Sequence, residues 1–217
     1  MLKRLQALLF PPKCLFCQKL LPKDQTDLCH DCRKAAPEFE KSKIRFSFIA
    51  RWTGVWYYKD GVRDSILRYK FQNKRSYAKP FGSFLAMKLL NVNMDHYDIL
   101  TWIPISRRRR FKRGFDQVAE LTKEVAMQLD VPATATLKKV RHIPPQSGMG
   151  DASHRRANVL GAYRVIDPEL VKGKRILLLD DIVTTGATAS ECAKTLMIAG
   201  AKEVNLAVLA VAVHEKE

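Results

Sequence analysis

The chain has 217 residues, which is enough for one hydrophobic core of ordinary domain size and a small appendage. Its 38 Lys and Arg outnumber its 22 Asp and Glu and give a net charge of +16, which favours a polyanionic partner. No apolar run approaches the roughly 18–20 residues that a membrane helix needs, so membrane insertion is excluded.

The N-terminal ten residues, Met1–Phe10, start with charge and continue with apolar residues, as a signal peptide does. Their apolar stretch is short, however, and Pro11-Pro12 stands where a small-residue cleavage site would be. We therefore expect a short amphipathic helix here and a cytoplasmic protein.

Residues 1–43 are expected to form a zinc-binding mini-domain, separate from the domain of residues 44–217. The segment has little periodic apolar pattern, so it cannot build a core without a metal. Two Cys-x-x-Cys pairs lie eleven residues apart, and they consist of Cys14, Cys17, Cys29 and Cys32. Each pair can place two thiolates on one tetrahedral Zn²⁺, and four Cys ligands leave no open position for water, which predicts a structural role. The alternative is four unrelated cysteines in a reducing compartment.

Residues 44–217 predict strands that alternate with helices. The first segment, Ile44 to Tyr58, carries β-branched and aromatic residues around Thr53-Gly54 and predicts a β-hairpin. The apolar pattern then predicts the following elements, with approximate bounds: helix Val62–Tyr69, helix Ala78–Leu90, strand Tyr97–Ile105, helix Phe115–Leu129, strand Arg175–Leu179, helix Ala187–Ala199 and strand Val204–Val213. The alternation predicts an α/β fold with a parallel sheet flanked by helices.

A basic segment, predicted to be a loop, connects the strand near residue 100 to the following helix. Six of the seven residues in Arg107–Arg113 are basic. The segment could bind a diphosphate, a nucleic-acid backbone or only solvent. Aromatic residues beside basic ones, as at Phe111 and in Arg68–Phe71, favour single-stranded nucleic acid, because single-strand binders combine cationic grooves with stacking rings.

A candidate phosphate loop follows the apolar run that ends at Leu179. Ligands of open parallel sheets gather beyond the carboxyl ends of the strands, where Asp180 and Asp181 come next in this chain. Paired carboxylates suit the vicinal hydroxyls of a ribose, each of which can donate a hydrogen bond. Thr184–Thr188 offers hydroxyls and backbone N–H groups at a helix N-terminus, which favours a phosphate. A single ribose phosphate could bind both the paired acids, through its hydroxyls, and the Thr184–Thr188 loop, through its phosphate. The alternative is an Asp-rich turn that only caps a helix.

These residues carry a family resemblance. Ile176–Thr188 resembles the motif with which type I phosphoribosyltransferases bind phosphoribosyl pyrophosphate (PRPP), and its core from Asp180 resembles the ComF family in particular. The segment from Ile103 to Gln117 resembles that family's Arg-rich segment, with Asp116 in place of the commoner Asn. A further matching block consists of Arg141, Pro145–Gly148, Arg155, Arg156 and Asn158–Tyr163.

The resemblance implies a type I phosphoribosyltransferase-like sheet with a small N-terminal zinc-ribbon-like module. It also implies PRPP bound with Mg²⁺, and its expected ligands are Ser106, Arg107, Asp180, Asp181, Thr184, Thr185, Gly186, Ala187 and Thr188. Asp180 and Asp181 are the expected catalytic pair, and the loop 141–158, with Gln146 and Arg155, is the expected lid. ComF proteins serve DNA uptake in natural transformation, which implies single-stranded DNA as a partner and other DNA-uptake proteins as further ones. The expected DNA contacts are Arg108, Arg109, Arg110, Lys112 and Arg113.

Two functions remain open at this point. An enzyme would transfer the pentosyl group of PRPP to an acceptor, and the intact ligand loop favours it. A nucleic-acid-binding protein would use PRPP as a regulatory ligand, and the absence of a recognisable acceptor pocket favours it. Thr184 stands where the family members that handle 6-oxopurines carry an acid. The sequence leaves open the acceptor, the oligomeric state and the direct protein partner.

Overall fold

The computed structural model describes residues 11–140 and 160–212, which form a parallel sheet with a hydrophobic core on each face. The strands are β1 (Trp52–Tyr57), β2 (Ile99–Trp102), β3 (Leu137–Lys139), β4 (Tyr163–Val165), β5 (Arg175–Val183) and β6 (Glu203–Val211). The α-helices are α1 (His30–Lys34), α2 (Asp60–Phe71), α3 (Ala78–Asn91), α4 (Arg107–Arg113), α5 (Gln117–Leu129) and α6 (Ala187–Ile198). The predicted α/β class is confirmed.

The main sheet has the strand order β1-β6-β5-β2, and all its neighbouring strands are parallel. Its central strand β5 begins with a continuous apolar run because both of its faces are covered, and Ile176 through Leu179 are fully buried. Leu177 and Leu179 pack in the core that contains residues of α2, α3 and α5. Ile176 and Leu178 pack in the core that contains residues of α6. Strands β3 and β4 form a separate antiparallel pair.

The predicted hairpin between Ile44 and Tyr58 is wrong. The only strand here is β1, which runs through Gly54 and pairs in parallel with β6, and Gly54 lies opposite Val208. A Cβ atom at Gly54 would lie 2.7 Å from Cγ2 of Val211. The glycine therefore allows two strands and their side chains to approach closely, a use of strand glycine that resembles a turn signal in the sequence.

The predicted helices are confirmed to within a few residues at their ends. Asp116 caps α5, because its Oδ1 accepts hydrogen bonds from the backbone N–H groups of Val118 and Ala119 at 3.1 and 3.2 Å. Gly200 follows α6 with a φ of +97°, a conformation in which glycine is favoured. The helix expected at Met1–Phe10 lies outside the described residues. Within residues 11–140 and 160–212, none of the helices has the length and hydropathy required to cross a bilayer.

The cysteine-containing segment packs against α2 and β1. Phe16 is buried, and its ring contacts the ring of Trp56 edge to face with centroids 5.5 Å apart. Arg68 of α2 donates from Nη2 to the carbonyl oxygens of Leu15 and Phe16 at 2.5 and 2.8 Å. A Cβ atom at Gly61 would lie 2.7 Å from Cβ of Phe16, so α2 begins in close contact with this segment. The division of the chain at residue 43 stays a prediction.

Candidate functional site

The two acids of the predicted ligand loop lie within β5 rather than after it. The apolar run ends at Leu179, but the parallel pairing with β6 continues to Val183. Successive side chains of a strand point to opposite faces of the sheet, so the carboxylates of Asp180 and Asp181 diverge. This arrangement differs from the side-by-side pair that the sequence predicts.

Asp181 is buried, and its carboxylate is held from two helices. Lys70 of α2 donates from Nζ to Oδ1 at 2.8 Å, and Gln117 of α5 donates from Nε2 to Oδ2 at 2.8 Å. The side chains of Lys70 and Asp181 are 13% and 7% exposed, so their ion pair is shielded from solvent. The hydroxyl of Tyr69, next to Lys70, donates to the backbone oxygen of Gln117 at 2.6 Å. Both oxygens of Asp181 therefore already have a protein donor.

Sequence analysis missed Lys70 and Gln117 as parts of this site. The one available signal is general: a buried carboxylate needs a cationic partner. That signal does not choose among 38 Lys and Arg residues. The Oε1 atom of Gln117 is buried and has no hydrogen-bond partner among the described residues, so this amide can still accept from a hydroxyl or a water.

Asp180 is partly exposed and has a different environment. Its Oδ1 accepts from the backbone N–H of Asp181 at 2.8 Å. Burial of the carboxyl, and next the negative charge of Asp181, raise the pKa of Asp180 well above its ordinary range. Sequence analysis missed two residues whose charges or hydroxyl groups interact with this carboxyl, Lys139 of β3 and Tyr163 of β4. Lys139 donates from Nζ to the hydroxyl of Tyr163 at 3.2 Å. Burial, and next the positive charge of Arg109, lower the pKa of Lys139.

The predicted phosphate loop connects β5 to α6. Thr184 is exposed, Thr185, Ala187 and Thr188 are partly buried, and Gly186 precedes α6 with a φ of +77°. A side chain at Gly186 would collide with Phe46, because a Cβ atom there would lie 2.7 Å from Cε1 of the ring. The segment around Phe46 therefore covers this glycine, while the hydroxyl of Thr184 stays accessible to a ligand.

The basic segment forms helix α4, so the predicted loop is wrong. The Oγ atom of Ser106 accepts from the backbone N–H of Arg109 at 3.3 Å and caps the start of the helix. Gly114 ends it in the left-handed conformation with a φ of +76°. The two flanking residues supply the caps of a short helix, and none of the residues of α4 is buried.

Helix α4 has two different sides. Arg109 and Arg113 are four positions apart and share a face. The guanidinium of Arg113 is partly buried and lies 4.9 Å from the ring centroid of Phe71. Burial lowers the pKa of Arg113, and the negative charge of Asp181 opposes this effect. The positive charge of Arg109 likewise acts on the pKa of Lys139, so the charges of this face interact with Asp181 and Lys139. The exposed members of the helix are Arg107, Arg108, Arg109, Arg110, Phe111 and Lys112.

The helix concentrates positive charge without internal compensation. Its seven residues span about 10 Å at about 1.5 Å per residue. Like charges three or four positions apart each destabilise a helix by about 0.2–0.5 kcal/mol. Among the described residues, no carboxylate forms an ion pair with α4. An anionic ligand on this helix would relieve the repulsion.

The predicted lid, residues 141–158 with Gln146 and Arg155, lies outside the described residues. Its role stays a prediction. The strands β3 and β4 on either side of it are described, and the charge of Asp180 acts on the pKa of Lys139 in β3 and of Tyr163 in β4.

The four predicted metal ligands come together. The Sγ atoms of Cys14, Cys17, Cys29 and Cys32 all lie within 4.8 Å of one another, and Cys17 and Cys29 are 3.8 Å apart at sulfur. Burial alone would raise the pKa of Cys14, but backbone hydrogen bonds from Cys29, Cys17 and Phe16 outweigh it and lower the pKa to about 7. A donor set of four sulfurs at this separation fits a tetrahedral metal such as Zn²⁺. The fifth cysteine, Cys192, belongs to α6 and is buried in the core.

Comparison with known proteins agrees with this architecture. The phosphoribosyl transferase domain family matches residues 119–217, a range that begins within α5 and includes β5 with both acids, the predicted phosphate loop and α6. Fold and match together define the class: the chain carries a phosphoribosyltransferase-type α/β domain.

Curated relatives are similar over most of the chain. Competence protein F of Haemophilus influenzae is 26% identical over 184 residues, which is 82% of this chain and 76% of that protein. Competence protein ComFC of Streptococcus pneumoniae is 29% identical over 194 residues, 87% of this chain and 77% of that protein. The DNA utilization protein YhgH of Salmonella typhimurium is 29% identical over 142 residues, 63% of this chain and 61% of that protein. The resemblance to the ComF family is therefore confirmed: the chain is similar to competence proteins of this family over most of its length.

Proposed function

We propose that this protein binds PRPP with Mg²⁺ at the carboxyl end of β5, binds single-stranded DNA along α4, and acts in DNA uptake. The observation that carries the proposal is α4 itself, a cationic helix with no buried residue, whose Arg113 lies close enough to Asp181 for the two charges to interact. Similarity to proteins named for competence and for DNA utilization supports the role in DNA uptake.

In the PRPP site, the two acids have different tasks. Asp180 is assigned to the ribose hydroxyls and the metal because it is the more exposed of the two acids, whereas Asp181 is buried and already accepts from Lys70 and Gln117. Asp181 positions the end of β5. Mg²⁺ prefers carboxylate and phosphate oxygens, so Asp180 with the diphosphate suits it, and the ion would neutralise charge on the leaving diphosphate. The loop Thr184–Thr188 receives the 5-phosphate through its hydroxyl and N–H groups.

The diphosphate is assigned to Ser106 and Arg107, as the family resemblance implies, together with Arg109. Arg109 is added because its charge acts on Lys139, across from Asp180. An Arg fork neutralises diphosphate and fixes its orientation through paired hydrogen bonds. The DNA backbone is assigned to the outward cations Arg108, Arg110 and Lys112, with Arg113 at the border between the two sites.

The sulfur cluster is assigned a structural Zn²⁺, since a closed four-thiolate set leaves no open position for chemistry. Four thiols in such proximity require a reducing compartment, which favours the cytoplasm as the place of action. Other proteins of DNA uptake are the expected protein partners.

The second candidate is catalysis, a transfer of the pentosyl group from PRPP to an acceptor. The observation that favours it is the raised pKa of Asp180 beside Lys139 and Tyr163, because such groups can hold or deliver a proton at the reacting end of the ligand. Release of diphosphate from PRPP in the presence of Mg²⁺ and candidate acceptors distinguishes this function from binding alone.

The two binding sites can be tested with three double variants that each remove two charges. Arg108→Ala with Lys112→Ala should chiefly weaken single-stranded DNA and reduce the slope of log affinity against log salt, which is about −0.7 per neutralised phosphate. Arg109→Ala with Arg113→Ala should chiefly weaken PRPP. Lys172→Ala with Lys202→Ala is the matched control, since these exposed lysines precede β5 and β6 at the opposite edge of the sheet. Equal losses in all three variants, by anisotropy for DNA and by calorimetry for PRPP, would contradict both assignments.

A further inference from the structure

Two exposed phenylalanines flank the basic helix. Phe111 of α4 is 93% exposed, and Phe71, the last residue of α2, is 63% exposed. Both rings lie beside cations, Phe111 within α4 and Phe71 against Arg113, and exposed aromatic rings beside cations suit a ligand with both apolar faces and negative charge.

Phe71 is held in place by the C-terminal end of α4. The guanidinium of Arg113 lies 4.9 Å from its ring centroid, within the range of a cation–π contact. Arg75 donates a hydrogen bond to the carbonyl oxygen of Gly114 and stacks over Phe115 at 5.0 Å, which fixes the end of α4 next to the end of α2. One side of the Phe71 ring is thus covered by a cation, and the ring is oriented without being buried.

Phe111 lies among cations on the outward side of α4. Arg108, one of the cations assigned to the DNA backbone, precedes it by three positions and shares its side of the helix. A partner for this surface must therefore offer flat apolar faces and negative charge in alternation. Unpaired nucleotides have this composition, because every base has a π-face and every linkage carries a phosphate.

We propose that Phe71 and Phe111 are base-stacking residues for single-stranded DNA, with the cations of α4 contacting the phosphates between stacked bases. The inference rests on the proposed DNA binding and adds the residues that recognise bases. Stacking does not depend on base identity, so the surface binds without strong sequence preference.

The test compares a labelled oligo-dT strand with an abasic strand of the same length and label, at one salt concentration, by fluorescence anisotropy. Phe71→Ala and Phe111→Ala should each weaken oligo-dT binding by about 5- to 150-fold, the range that alanine substitution of a stacking residue produces, and should leave abasic binding nearly unchanged. Phe111→Trp should retain binding. Ile198→Ala is the control, because Ile198 is 76% exposed at the end of α6, on the opposite edge of the sheet.

The outcomes separate this inference from the function on which it rests. If the wild-type protein binds neither strand, DNA binding itself fails and the stacking residues with it. If the wild type binds oligo-dT while both alanine variants behave like Ile198→Ala, stacking is overturned and backbone binding survives. Equal losses on the abasic strand also overturn stacking. Competition by free dTMP at concentrations similar to those of oligo-dT would assign the rings to a mononucleotide instead.

Discussion

Lys70 and Asp181 join α2 to β5 through a shielded ion pair, with Nζ 2.8 Å from Oδ1 across 111 positions of sequence. Removing one member of a buried pair leaves the other charge without compensation, which costs about 3–5 kcal/mol. Lys70→Met should therefore lower the free energy of unfolding by about this amount in urea titrations. The control is Lys123→Met, which breaks the exposed contact with Glu120 and should cost less than about 1 kcal/mol. Equal stability of the two variants would contradict a structural role for the pair.

Asp180 should make the stability of the protein depend on pH. Its folded pKa is raised above the unfolded value of about 3.9, so its contribution is fully present below that value and is lost as pH rises through the folded pKa. Asp180→Asn removes this loss and should be more stable than the wild type at neutral pH. The difference should shrink as pH falls towards the unfolded value. Urea unfolding of both proteins across this pH range checks the sign, and a variant that is less stable at neutral pH would contradict it.

The sulfur cluster should bind one Zn²⁺ per chain. Cys29→Ser should lose the metal and should also expose Trp56, because Phe16, which lies between Cys14 and Cys17 in sequence, packs against that ring. Elemental analysis and tryptophan fluorescence measure the two effects separately. Cys192→Ala, which changes a buried thiol outside the cluster, should keep its zinc. Zinc-free wild-type protein with an unchanged fluorescence spectrum would show that the segment folds without a metal.

Gly54 should not tolerate a side chain. A Cβ atom would lie 2.7 Å from Cγ2 of Val211, and overpacking of a closed core typically costs about 1–3 kcal/mol. Gly54→Ala should lower the unfolding free energy by this amount, and the second change Val211→Ala should recover part of the loss by making room. If the double variant is no more stable than the sum of the two single effects predicts, the contact is not the cause.

The parts of the fold that were predictable from sequence depend on local patterns. The apolar run from Ile176 to Leu179 predicts a buried parallel strand because no other element of that length is apolar on both faces. The spacing of the cysteine pairs predicts that the four thiols come together, because each pair can supply two ligands to one metal ion. Ser106 and Gly114, the caps of α4, are residue types that commonly begin and end helices, yet the basic segment between them is predicted as a loop.

The remaining features depend on contacts between distant parts of the chain. Gly54 has the sequence signature of a turn, and only its position opposite β6 shows that it is a point of close approach. The partner of Asp181 could not be chosen from sequence, since Lys70 lies in a helix with no local signal that distinguishes it from other lysines. Divergence of the two acids follows from the continuation of β5 past its apolar run, which pairing with β6 determines.

Helix α2 contacts two separate parts of the chain. Arg68 donates hydrogen bonds to the backbone of Leu15 and Phe16, and Lys70, two positions later, forms an ion pair with Asp181. A truncated protein that starts at residue 44 would keep the whole sheet but would lose the segment that covers Trp56 and the start of α2 at Gly61. The newly exposed aromatic surface would favour aggregation, and a loss of ligand binding in such a protein would not locate the ligand in the removed part. Biochemical dissection of this chain is therefore better done by single substitutions than by deletion.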